Sequence, residues 1–169
     1  VRILQATTIV CVLGASALAE PARAAAPCPR SAVLDPFPGC AIQECKEREF
    51  DEAELQAGPS NGTGDFPKKL VEGRLSVQTY ACPASLTVVE IARRAQATLR
   101  KGGYGVVYAG HMLVSDLPGF TVRRGGQWVQ LVTEDFGEQT GYTLTSVAAA
   151  PARSPARPAA RPRRAVQRP

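Results

Sequence analysis

Four cysteines, Cys28, Cys40, Cys45 and Cys82, follow an apolar leader, and together they constrain this chain more than any other feature. In an oxidising compartment an even number of cysteines implies disulfides, here up to two, with three possible connectivities. A four-thiolate zinc site is the competing reading, but the spacing lacks the paired C-x-x-C knuckles of such sites. Cys40 and Cys45 could close a small loop on themselves. Alternatively, Cys28 or Cys40 could staple the N-terminal segment to Cys82, and the longer cross-link restricts the unfolded chain more.

The leader supports the oxidising compartment. Arg2 is the only charge before Glu20, and the residues between are mostly apolar or small. A positive start, an apolar stretch and an A-x-A site are the three parts of a signal peptide. Residues 1–24 are therefore expected to be one, cleaved after Ala19 or after Ala24. The uncharged stretch is barely long enough to span a bilayer, so an anchor is the weaker reading. No transmembrane span is expected once the signal is removed. Cys11 sits behind β-branched Val10, a poor fit to a lipoprotein site, and is expected to leave with the signal.

Removing the signal leaves about 145 residues, the size of one domain. The net charge of +5 invites a nucleic-acid reading, but its distribution does not. Arg153, Arg157, Arg161, Arg163, Arg164 and Arg168 lie in the last twenty residues with no acid among them, so the rest of the chain is near neutral. Anionic envelope polymers or an envelope protein are the expected partners, and nucleic acid is not. The Pro-Ala-Arg repeats of residues 149–169 have too little apolar surface to offset chain ordering, so a disordered basic tail is expected.

Residues 25–46 are rich in proline and lack periodicity, which predicts an irregular, cystine-containing lead-in. Residues 47–148 read as an α+β domain. A short strand is expected at 47–55, a loop at 57–67, and a strand at 70–81, where apolar and polar residues alternate. Thr87 and Glu90 form a capping box, and Val88, Ile91, Ala92, Ala95 and Leu99 recur at helical spacing. This predicts a helix at 87–101, stopped by Gly102 and Gly103. Strands are expected at 104–109, 127–133 and 142–147. Residues 110–126 read as turn-rich, with at most a brief pairing at 120–122. The predicted fold is a small, mainly antiparallel sheet with one helix packed on one face, in the order β-β-α-β-β-β. Phe120 and Trp128 are expected as core or edge anchors.

The sequence displays no catalytic site, metal site or cofactor motif. His111 is the only histidine, it falls in an expected loop, and no G-x-S-x-G elbow accompanies it. Glu44, Glu47, Glu49, Asp51, Glu52 and Glu54 could be paired carboxylates, but a strand edge guarded by charge explains them more simply. Gly102-Gly103-Tyr104-Gly105 follows a helix and precedes none, which excludes a phosphate-binding loop.

The stretch Glu49-Phe50-Asp51-Glu52, then Lys68-Lys69-Leu70-Val71-Glu72-Gly73-Arg74, then a helix ending in Gly-Gly-Tyr, resembles a known domain. It is the uncharacterised periplasmic α+β domain that precedes the OmpA-like module in some proteobacterial envelope proteins. The resemblance covers roughly 45–148. It implies a periplasmic or outer-membrane-associated location and an accessory role. The OmpA-like module itself is not in the sequence, so no peptidoglycan-contacting residues carry over, and the four cysteines are no part of the pattern. The expected function is a non-enzymatic, envelope-associated binding module, tethered electrostatically by the tail arginines. The alternatives are a secreted, cystine-stabilised enzyme or enzyme inhibitor, and a truncated OmpA-family protein with a residual linker.

Overall fold

A computed structural model describes residues 28–62, 64–112 and 115–149; the expected signal peptide and, apart from Ala149, which closes the last strand, the expected basic tail lie outside these residues. Seven elements follow in order: β1 (Ala41–Gln56), β2 (Lys68–Pro83), α1 (Val88–Lys101), β3 (Gly105–Met112), β4 (Leu117–Arg124), β5 (Gln127–Asp135) and β6 (Gln139–Ala149). The strands form one sheet in the order β1-β2-β6-β5-β4-β3, with every neighbouring pair antiparallel. The expected α+β class holds, with one strand more than the sequence implied.

The additional strand is β4, in the stretch that reads as turn-rich. Its Gly119 looks like a turn signal but answers a different need. A Cβ there would collide with the Met112 side chain and the Leu131 carbonyl oxygen. The glycine marks close backbone approach inside the sheet, a recurrent meaning of glycine in a strand. His111, expected in a loop, falls in β3 as a result.

The helix forms as its sequence dictates. The Thr87 side chain accepts from the Glu90 amide at 3.2 Å. The reciprocal half of the capping box is absent, because the Glu90 carboxylate pairs with Arg94 one turn on. Ile91, Ala92, Ala95 and Leu99 are buried against the sheet, and Gly103, at φ +84°, provides the left-handed stop.

β1 begins at Ala41, within the stretch expected as irregular lead-in. Residues 28–40 cross the same sheet face as the helix. Cys28–Cys45 and Cys40–Cys82 pin them there, and the Gln78 amide holds the Pro29 carbonyl at 2.7 Å. A Cys40–Cys45 bridge is ruled out because the four residues between them are extended at the start of β1 and hold the two thiols farther apart than a disulfide can span. The main core lies under the helix and lead-in and contains Leu34, Phe37, Tyr80, Ile91, Phe120 and Tyr142.

The opposite face is also covered. β1 and β2 each run 16 residues, and β2 outlasts its pairing with β6, which ends at Gly73 opposite Ala149. A bulge between Arg48 and Asp51 bends the hairpin at the level of Gly73, where a Cβ would collide with the Ala148 carbonyl oxygen. The projecting arm folds over the sheet and buries Leu55 and Val71 with Leu75, Trp128 and Val147. Its end is fixed by the Gln56 amide N–H donating to Gln130 Oε1 at 2.7 Å. Gln56 Nε2 also donates to the carbonyls of Gly58 (3.0 Å) and His111 (3.3 Å). The sheet is thereby curled so that the β1 end reaches toward β3, the other edge.

Candidate functional site

The charged side chains are segregated by the topology. Helix α1 ends in Arg100 and Lys101. Beside that end lies the β4–β5 turn, where Arg124 Nη1 donates to the Gly102 carbonyl at 2.7 Å and its guanidinium sits 4.7 Å from the Tyr104 ring. The helix C-terminus carries partial negative charge, which Arg124 offsets. On the other side of the sheet, Arg123 and Lys69 flank the Trp128 ring at 5.7 and 5.9 Å. β6 finishes here, with the Ala149 amide bonded to the Gly126 carbonyl at 2.8 Å. The chain therefore leaves the sheet among five basic side chains. The arginines from Arg153 to Arg168 lie outside the described residues.

Beside this end, on the helix face, lies a cleft of about 310 Å³ lined by Arg30, Glu47, Arg74, Ser76, Gln127 and Ser146, among others. Ser76 and Ser146 are directly paired across β2 and β6, so both hydroxyls stand on the same face. Gln127 accepts from the Tyr104 hydroxyl through Oε1 at 3.0 Å, which leaves its Nε2 as the donor end. Arg74 Nη2 is 3.6 Å from Glu47 Oε2 and 4.0 Å from Glu49 Oε1. Arg30 has no ion-pair partner among the described residues. None of this set except Glu47 stood out in the sequence. The one available signal was the presence of two small hydroxyl residues at inward-facing strand positions.

A second depression, of about 340 Å³, runs between α1 and the β3 edge, where Val89, Arg93 and Gln96 face His111, Pro118 and Phe120. His111 Nδ1 lies 3.4 Å from Asp116 Oδ1, and both side chains are largely exposed. No nucleophile accompanies them in the lining of this groove. The acids of β1 do not converge on His111. They line the outer edge strand, where Lys46 pairs with Asp51 and Lys68 with Glu54. Their arrangement is the charge-guarded edge that the sequence implied. Phe120 and Trp128 are buried, as expected of anchors.

Both disulfides fit an exported protein, since such bonds persist in oxidising compartments. Among the described residues no helix is long and apolar enough to cross a membrane. No family model matches the chain, and no curated protein matches it either.

Proposed function

We propose that this is a non-enzymatic binding module of the cell envelope, working in the periplasm or at the outer membrane. Its tail arginines hold it to anionic cell-wall or membrane polymers. The observation that carries this reading is the position of the chain's exit from β6, among Arg100, Lys101, Arg123, Arg124 and Lys69. The folded domain presents a cationic end, and six further arginines follow it in the sequence. Near an anionic surface each basic side chain contributes roughly 1 kcal/mol, so weak single contacts sum to retention. The resemblance of residues 45–148 to the domain preceding OmpA-like modules points to the same compartment.

Co-sedimentation with purified cell-wall sacculi, with and without residues 150–169 and at low and high salt, tests the tether. Tail-dependent pelleting that fades with salt is the expected result. Equal retention without the tail would overturn it, and absence of pelleting in all conditions would remove the sacculus as partner.

A further inference from the structure

We infer that the cleft beside the basic end is a binding site for a small hydroxylated carboxylate, an acidic sugar residue. Arg74 is held by Glu47 and Glu49, whereas Arg30 has no ion-pair partner among the described residues, so Arg30 is the cleft's unmatched charge and favours an anion. Guanidinium presents paired N–H donors in a planar fork that matches a carboxylate. A bare anion would leave the rest of the lining unused. Ser76, Ser146 and the Gln127 Nε2 are neutral hydrogen-bonding groups that suit ring hydroxyls. Glu47 repels an anion placed beside it but accepts from a hydroxyl, so it selects for a ligand carrying both kinds of group. The volume of about 310 Å³ is at the small end for ligand sites and exceeds what a lone anion needs.

The lead-in explains how Arg30 comes to be there. It lies two residues beyond Cys28, whose bond to Cys45 fixes the segment to β1, while Gln78 fixes the intervening Pro29 carbonyl. The Cys28–Cys45 disulfide is thus a positioning device for Arg30. Identification of the sugar rests on the envelope reading for its biological setting. The binding itself needs no envelope material, so its failure and that of the tail tether are separate results.

The test is a titration of the isotopically labelled, oxidised full-length chain with glucuronate, glucose and inorganic phosphate in turn, followed by amide NMR. Glucuronate is expected to give saturable shifts at Ser76, Gln127 and Ser146, and glucose none. Arg30→Gln and Arg74→Gln are each expected to weaken binding about tenfold or more. Cys28→Ser with Cys45→Ser should weaken it similarly while the spectrum of α1 and β3–β6 stays folded. Shifts confined to the tail would overturn the cleft as the site. So would unchanged glucuronate binding in the Arg30→Gln, Arg74→Gln double variant, or no saturable shift at all. Phosphate binding at these residues without glucuronate binding would overturn the acidic sugar as ligand.

Discussion

Tyr80 and Tyr142 stack in the main core with ring centroids 4.6 Å apart, and the Tyr80 hydroxyl donates to Gln78 Oε1 at 2.9 Å. Burial raises the pKa of both phenols. The Asp35 carboxylate adds to the effect at Tyr80 and the neighbouring Tyr80 at Tyr142, while a backbone hydrogen bond from Phe37 partly opposes it at Tyr142. In the unfolded chain both phenols ionise as pH rises through about 10. In the folded chain they keep their protons to higher pH. Their stabilising contribution is therefore fully present below about pH 10 and is lost as pH rises toward the folded-state values. Urea unfolding at pH 7 and pH 11 should show this loss, and Tyr142→Phe should lose less between the two. An equal loss in the variant would assign the alkaline effect to other groups. The two tyrosines also bear on what the sequence shows. On β2, Leu75 and Val77 make the apolar-looking face, yet Tyr80, Gln78 and Cys82 of the other face line the main core. Alternation identifies the strand but not which face is buried when both are.

Among the elements, α1 was the most legible because its cap, stripe and stop are all local in sequence. β4 was not, since Gly119 is needed for a contact with β3 and β5 that no local pattern records. The disulfides lie between these extremes. Their existence follows from the cysteine count and compartment, but their pairing depends on how the lead-in crosses the sheet. The two bonds should differ in weight. Cys28–Cys45 spans 17 residues and Cys40–Cys82 spans 42. Loop entropy gives about 3 kcal/mol for the first and about 4 for the second. Cys82 is buried in the main core as well, so its replacement also costs packing. Chemical unfolding of the two serine pairs should therefore find Cys40→Ser with Cys82→Ser the more destabilised by about 1 kcal/mol or more. The reverse order would mean that the lead-in contributes more through Cys28 than its chain length implies.

On the scale of the whole molecule, the cleft and the curl of the sheet were the least legible features, and for the same reason. Arg30, Glu47, Arg74, Gln127 and Ser146 come from the lead-in and four strands, and only the sheet order brings them together. The curl likewise involves a contact distant in sequence, with Gln56 reaching across from β1 to β3 and β5. Gln56 is 3 % exposed, and the acceptors it satisfies belong to both ends of the sheet. Gln56→Ala removes the side-chain donor but keeps the backbone bond to Gln130, so the arm should loosen without detaching. A cost of about 1–3 kcal/mol is expected in urea unfolding, because the buried Gly58 carbonyl loses its partner, while the His111 carbonyl keeps the Tyr108 hydroxyl. The more telling measurement is hydrogen exchange. If the arm and the far edge open as one unit, amides of residues 51–56, 68–72 and 105–112 should all exchange faster in the variant by more than α1 does. Faster exchange in the arm alone would mean that the two edges of the sheet open independently, and that the curl is held by the Leu55 and Val71 cluster rather than by Gln56.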